Sequence, residues 1–440
     1  PHRHPARVRA EHHARRDGTL VCARVRILAD GGAYTSSSPT VLANAAAFCC
    51  GPYRIPNAVI EADCVFTNNP PAGAMRGYGA LQGCFAGEAQ MDKLAAALGL
   101  SPVELRLRNA LEPGESMVTG ERVPRSFPVR EVICRCAELE PPAAPPPSGA
   151  VRGIGFAVGL KNVGPAADIE DSAAVRVVVR GGDPLVAEVH CAIAEVGQGI
   201  GTVVTQVARS ELGIDDVRLA PHTTTTVGSA GPSSASRGTW MLASATQLAC
   251  RAAREELARR SGFPAAGETI DVERTYRHAT AVARDGGARR PEGVRAHAAL
   301  ALCAMKVAAD VDVELGVVRV AWIGAVADVG HAVYPPGVYG QVEGGAAQGL
   351  GLALMEELEL DDGRIANASL REYLIPTTMD VPPIETVLVE DAHPDGPYGA
   401  KGVGEPPTVV APAAVAAAVR AACGRELPRL PIRPEDVAGV

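Results

Sequence analysis

Residues 400–407, AKGVGEPP, set one carboxylate, Glu405, between glycines and prolines. Gly402 and Gly404 give the backbone before it wide φ freedom. Pro406 predicts an extended backbone at Glu405, because a following proline ring crowds the α region. Pro407 stiffens what comes next. A single acid held this rigidly can act as a general base aimed at one spot. A surface loop with an incidental Glu has the same spacing.

Four further segments carry polar groups in glycine-rich surroundings. Residues 195–202, EVGQGIGT, open a predicted helix with bare backbone N–H groups that can approach an anion. The spacing is neither a Rossmann fingerprint nor a P-loop, and a plain strand–helix turn would look the same. Residues 228–238, GSAGPSSASRG, offer a second cradle of N–H and O–H donors, or a flexible loop. Residues 68–82, NNPPAGAMRGYGALQ, present Arg76 as a forked donor and Tyr78 as a stacking surface, or form a rigid surface loop. Residues 339–352, YGQVEGGAAQGLGL, read as a helix whose glycines serve close packing and whose Gln341 can meet a ligand. The histidines lack ligand spacing, and no Gly-x-Ser-x-Gly elbow occurs.

The elements that hold these segments follow from periodicity and punctuation. Residues 19–28 alternate as a strand, turned at Asp30-Gly31-Gly32. Residues 82–98 show a helical apolar stripe stopped by Gly99, and Ser101-Pro102-Val103-Glu104 starts another helix with a capping box. Residues 173–179 and 185–194 pair as strands around Gly181-Gly182. Residues 202–212 and 239–260 are predicted helices, 310–328 a hairpin turning at Leu315-Gly316, 354–360 a strand, and 412–423 an Ala-rich helix. This irregular mixture indicates an α+β fold. PPAAPPP at 141–147 reads as a stiff linker. It divides the chain into domains at 1–140 and 151–440, with 141–150 between them.

Composition narrows the class. The chain has 440 residues, 47% hydrophobic and 21% charged, as a folded protein of two or three domains would. Its 47 Gly and 35 Pro exceed the about 31 and about 22 of average usage, so fixed loops are abundant. A net charge of −8 argues against nucleic acid as a partner. The locally basic start (Arg3, Arg7, Arg9, Arg15, Arg16, Arg24, Arg26) is a solvated face or a subunit contact. Eleven cysteines without C-x-x-C spacing fit free thiols in a reducing cytoplasm rather than a zinc or iron–sulfur framework. The apolar run 409–423 falls short of the ~20 residues of a membrane span and contains Pro412, so no membrane association is expected. Only four lysines occur, Lys93, Lys161, Lys306 and Lys401, and the last lies in the Glu405 segment.

Taken in order and spacing, AMRGYG, EVGQG, the Ser-rich loop, GQVEG and KGVGEPP resemble the molybdenum-binding large subunit of the xanthine dehydrogenase family. The resemblance covers essentially the whole chain, with GPYRIPN and NNPPAGAMRGYGALQ similar to bacterial forms built from separate subunits. It implies two elongated mixed α/β domains with the cofactor between them. The metal would be held by a pterin dithiolene rather than by side chains, commonly in the cytosine dinucleotide form. Glu405 matches the catalytic base, and Gln341 a residue beside the molybdenum. Met75 and Arg76 match a backbone contact to the metal's oxo group. Val196, Gly197, Gln198 and Gly199 match a pterin strip; Ser233, Ser234, Ala235 and Ser236 match pterin and phosphate contacts. Tyr78 and Phe156 match two aromatics that sandwich a purine, and Asn44 falls where animal enzymes carry a substrate arginine.

The implied activity is hydroxylation of a purine, hypoxanthine or xanthine to urate, with water as the oxygen source. Electrons would pass to 2Fe-2S and FAD centres on partner subunits, in a cytoplasmic dimer of heterotrimers. The family's GGFGGK-type loop and an earlier Gln-containing strip are absent and would precede Pro1, which implies an N-terminally truncated chain. An aldehyde or other N-heterocycle hydroxylase is the alternative within the family. An inactive assembly subunit is the alternative outside enzyme chemistry. The carbon monoxide branch carries a Cys in the loop where this chain has AMRGYG, which argues against it.

Overall fold

Ala23, Val25, Ile27 and Ala29 are buried, whereas Arg24, Arg26 and Leu28 are exposed, the period-2 pattern of a sheet covered on one face. They lie in a computed structural model that describes residues 2–164, 170–260, 262–278 and 297–439. The first elements are β1 (Ala6–Ala14), β2 (Leu20–Gly32), α1 (Ser38–Phe48), β3 (Asn57–Phe66), α2 (Ala80–Leu98), α3 (Pro102–Asn109) and α4 (Val129–Glu138). Next come β4 (Val151–Val163), β5 (Asp171–Arg180), β6 (Val186–Cys191), α5 (Ile200–Leu212), β7 (Asp216–Leu219), α6 (Gly238–Arg259) and β8 (Thr269–His278). The chain continues through β9 (Ala299–Asp312), β10 (Val317–Asp328), α7 (Pro335–Leu354), β11 (Leu360–Asp361), β12 (Arg364–Ile365), β13 (Ile384–Val389), α8 (Pro406–Cys423) and α9 (Pro434–Ala438).

Among the described residues three larger sheets result, ordered β1-β2-β3, β13-β10-β9-β4 and β7-β6-β5-β8, each mixing parallel and antiparallel pairs. This is the mixed α+β architecture. The predicted pairing of β5 with β6 and the β9–β10 hairpin turning at Leu315-Gly316 are present. Ser101 caps α3, its hydroxyl accepting from Glu104 N–H at 3.0 Å. The predicted strand at 354–360 is not there. Leu354 is the last residue of α7, and only Leu360–Asp361 pairs, with Arg364–Ile365. Two N–H groups, of Met355 and Glu356, close the helix on the Gly351 carbonyl, which keeps the backbone from extending.

The apolar core runs across the proline-rich segment. Phe156, Val158, Leu160, Leu300 and Leu302 pack into the same cluster as Val25, Phe48, Met91 and Val132. Arg152 also ties the segment down, donating to the Pro142 and Ala144 carbonyls and pairing with Asp310 at 2.7 Å. The basic start divides: Arg7, Arg9, Arg24 and Arg26 are exposed on one sheet face, while Arg3 is half-buried.

β4 and α8 form the scaffold of the site. Odd residues of β4 face α8, and three of them are glycines because nothing larger fits. A methyl group on Gly153 would lie 2.0 Å from the Ala418 carbonyl oxygen, and one on Gly155 2.2 Å from that of Ala414. Gly159 comes against Val409 and Val410, so strand and helix run in opposite directions. The start of α8 therefore lies beside the end of β4. α8 has the length and composition of a membrane span, but 78% of it is buried against its neighbours.

Candidate active site

Glu405 is the N-cap of α8, with prolines at the first two helical positions. Its backbone is at φ −107°, ψ −35°, in the helical region rather than extended. The proline effect is outweighed by helix initiation and by a hydrogen bond from Glu405 N–H to Ser236 Oγ at 3.1 Å. The same hydroxyl donates to Glu405 Oε2 at 3.0 Å, and Gly77 N–H donates to Oε1 at 3.2 Å. The residue is 8% exposed, so these donors rather than bulk water support its charge.

Lys401 has a structural task. Its ammonium is wholly buried and reaches Asp328 Oδ2 at 2.7 Å and the Ser126 carbonyl at 3.0 Å. Its backbone N–H donates to the Val329 carbonyl at 2.9 Å. The loop that carries Glu405 is thereby fixed to the end of β10. Gly402 lets it touch the Ser-rich loop: a methyl group there would lie 1.9 Å from the Ser236 carbonyl oxygen.

The AMRGYG turn reaches Glu405 because Gly77, Tyr78 and Gly79 all take positive φ, at 94°, 41° and 87°. Arg76 then spans three segments. Nε donates to the Gly404 carbonyl at 2.5 Å, Nη2 to the Gln341 carbonyl at 3.0 Å and its Oε1 at 3.3 Å, and Nη1 to Gln348 at 3.1 Å. Burial lowers the Arg76 pKa, and the Glu405 charge opposes that shift. Met75 is exposed beside it. The Tyr78 hydroxyl is 2.7 Å from Thr40 Oγ1 on α1, which leaves the ring half-exposed. Asn44, one turn along α1, accepts from Lys161 Nζ at 3.3 Å.

The EVGQG N–H groups are already engaged. Glu195 turns back on its own helix start and accepts from Gly197, Gly199 and Gly201 at 3.0–3.2 Å. Burial pushes the Glu195 carboxyl up, but the N–H groups of Gly201, Gly199, Gly197 and Ile200 outweigh it, and the net shift is downward. The anion expected at that helix start is thus a side chain of the motif itself. Gln198 bonds Val196 N–H and the Ala194 carbonyl, and Ser233 Oγ donates to that carbonyl at 2.6 Å, which ties the two loops together. Ser234 is exposed beside it. Ala235 and Ser236 sit at φ 50° and 49°, left-handed positions uncommon for non-glycine residues and frequent at functional sites.

Sequence reasoning missed three supports. Arg237, 1% exposed, pairs with Asp171 at 2.6 Å and donates to the Ala230, Pro232 and Ser172 carbonyls, pinning the Ser-rich loop. Lys161 and Asn162, bonded to each other, lie at the end of β4 near Glu405. A charge at the end of the apolar run GFAVGL was the available signal. Phe156 does not join the site. It is 6% exposed, points away from α8 and lies under the Arg106 guanidinium at 5.7 Å. Five strand residues, ~16 Å, separate it from Lys161. The alternation of β4 that aims Lys161 at Glu405 aims Phe156 into the core.

A flat polar cofactor fits these surfaces. Gly197, Gly199, Gly340 and Gly344 have nothing within 4 Å of where a side chain would stand, and Val196 is 75% exposed. Gln198 and Gln341, from separate motifs, line one pocket.

The molybdopterin cofactor-binding domain family matches residues 135–382 and, in a second part, residues 1–110. A probable xanthine dehydrogenase subunit of Bacillus subtilis is 32% identical, over 99% of this chain and 62% of its own length. A putative xanthine dehydrogenase molybdenum-binding subunit of Escherichia coli is 30% identical, over 98% of this chain and 62% of its own. The structure of an aldehyde oxidoreductase from Desulfovibrio gigas superposes with a TM-score of 0.86 at 29% identity, over 99% of this chain and 49% of that one. The chain thus spans about half to three fifths of the length of these relatives. It belongs to the molybdopterin-binding xanthine dehydrogenase and aldehyde oxidoreductase family.

Proposed function

We propose that this chain forms the cofactor-binding part of a molybdenum hydroxylase that oxidises a purine, hypoxanthine or xanthine to urate. The overall change takes a substrate C–H and water to C–OH, two protons and two electrons. When bound, the molybdenum cofactor supplies the two-electron redox chemistry. Val196, Gly197, Gln198 and Gly199, with Ser233, Ser234 and Ala235, form the surface that would hold the pterin, in its cytosine dinucleotide form. Gln341 and the Met75–Arg76 backbone would face the metal. Glu405 takes up a proton from the reacting water, and Tyr78 with Asn44 receives the planar substrate. Electrons leave for iron–sulfur and flavin partner subunits, in a cytoplasmic dimer of heterotrimers.

The observation that carries this reading is the Glu405 carboxylate, largely removed from water yet held by Gly77 N–H and Ser236 Oγ. That is the geometry of a preorganised general base. In the assembled enzyme, Glu405→Gln is expected to keep its molybdenum and pterin while turnover falls at least ~10²-fold. Near-normal turnover would reject the assignment.

An aldehyde or other N-heterocycle as substrate is the second reading. The neutral Asn44 and the burial of Phe156 favour it, since neither supplies the contacts a xanthine site would use. A panel of hypoxanthine, xanthine, aldehydes and nicotinate separates the two. A loaded complex that oxidises none of them would leave the chain as an assembly subunit.

A further inference from the structure

We propose that Lys161 is the positioning residue for Glu405, holding it as a carboxylate with Oε1 as the oxygen that accepts the proton. The proposal rests on the reading of Glu405 as the base. Lys161 Nζ lies 3.9 Å from Glu405 Oε2. The side chain is 1% exposed. Its other partners are neutral: the carbonyl oxygens of the Asn44 and Asn162 side chains, and the Phe48 ring at 5.7 Å. An ammonium taken out of water needs a counter-charge. Among the described residues, Glu405 is the only carboxylate within 4.0 Å of it. Burial lowers the Lys161 pKa, and the charge of Glu405 opposes that shift.

Among the described residues, the charged groups facing Glu405 come from three elements. β4 brings Lys161, the turn before α2 brings Arg76, and the segment before β1 brings Arg3. α7 contributes the neutral Gln341, and the loop before α6 contributes the hydroxyl of Ser236. Arg76 spends its donors on the Gly404 and Gln341 carbonyls and on the Gln341 and Gln348 amides. The strongest carboxylate influence on Arg3 is Glu356. Among the described residues, Lys161 alone is a charge paired with Glu405 within 4.0 Å.

The pairing also distinguishes the two carboxylate oxygens. Oε2 receives the Ser236 hydroxyl and faces Lys161, whereas Oε1 receives one N–H, from Gly77 at 3.2 Å. Oε1 therefore keeps the freer lone pair. A purely packing residue at this point of β4 would be apolar like the GFAVGL run before it; an ammonium there costs desolvation unless a charge compensates it.

The test uses Lys161→Met and Lys161→Arg in the assembled, cofactor-loaded enzyme. Lys161→Met is expected to retain molybdenum and pterin. It should move the acidic limb of the kcat/KM profile to higher pH, the direction expected on removing an opposite charge at this range. Lys161→Arg should restore the limb. In a Glu405→Gln background, Lys161→Met should change turnover no further. An unmoved acidic limb, or a loss of turnover that tracks loss of cofactor, overturns the proposal. If Lys161→Met does not fold, Lys161→Gln keeps a polar partner for Asn44 and is read the same way. A second readout does not need turnover. The carboxyl infrared band of the full chain, assigned to Glu405 by its absence in Glu405→Gln, should appear at higher pH in Lys161→Met than in the unmodified chain. That band tests the Lys161–Glu405 coupling even if Glu405→Gln retains turnover, which would sink the reading of Glu405 as base instead.

Discussion

The hydroxyl of Ser236 accepts from the backbone N–H of Glu405 at 3.1 Å and donates to its Oε2 at 3.0 Å. One side-chain oxygen thus fixes both the main chain and the carboxylate of the proposed base. The two residues are 169 positions apart. Ser236, expected to touch the pterin, holds the acid.

Replacing Ser236 with Ala removes both bonds. Alanine tolerates the backbone, as Ala235 does at φ 50°. A hydrogen bond to a charged group is worth about 1.5–3 kcal/mol, so kcat/KM is expected to fall about 10- to 100-fold with molybdenum content retained. Steady-state kinetics on the loaded complex check this, and unchanged kcat/KM would separate Ser236 from the base.

Gly402 and Gly404 flank Val403 and should respond oppositely. A methyl group at Gly402 meets the Ser236 carbonyl at 1.9 Å, whereas at Gly404 the nearest atom is 3.5 Å away. Gly402→Ala should cost about 1–3 kcal/mol of stability and lower turnover, because the two loops are forced apart. Gly404→Ala should leave the thermal midpoint unchanged. Equal effects in thermal scans would refute the contact.

Glu88 organises the interface between α2, α3 and β4. It accepts from Tyr53 Oη at 2.6 Å, Arg106 Nε at 2.9 Å and Val158 N–H at 2.7 Å, all buried. Glu88→Ala leaves Arg106 with Asp92 at 2.9 Å but strands the buried Tyr53 hydroxyl and Val158 N–H, and should cost about 1–3 kcal/mol in urea unfolding. The paired change Glu88→Leu with Arg106→Met should recover part of that loss.

Asp328 gives stability a pH dependence. Burial pushes its carboxyl up to about 6, and the Lys401 ammonium at 2.7 Å only partly opposes this. The unfolded chain releases this proton near pH ~3.9. The raised folded value means that the contribution is fully present below about pH 4 and lost as pH rises through about 6. Asp328→Asn removes the titration. The stability difference between unmodified chain and variant should therefore shrink by ~2 kcal/mol from pH 4 to pH 7. A flat difference would refute the shift.

Local chemistry was legible. The Gly and Pro around Glu405 marked a fixed acid, the alternation at 19–28 marked a buried sheet face, and Gly99 stopped a helix where expected. Partners distant in sequence were less so. The proline-rich run shows local stiffness, but whether apolar residues on either side share one core depends on how the sheets stack. Phe156 and Lys161 lie in one strand, and their placement depends on which face of that strand meets α8.

The sequence alone determined which side chains could do chemistry, because residue type, glycine freedom and proline restriction act within a few residues. The tertiary structure decided which of them meet. It aligned the end of β4 with the start of α8, brought Ser236 and Gly77 to the Glu405 carboxylate, and sent Phe156 into the core. Those outcomes depend on close approaches at Gly153, Gly155 and Gly402, where an added methyl group would lie 1.9–2.2 Å from a carbonyl oxygen of a distant segment, so that only the absence of a side chain lets the segments touch.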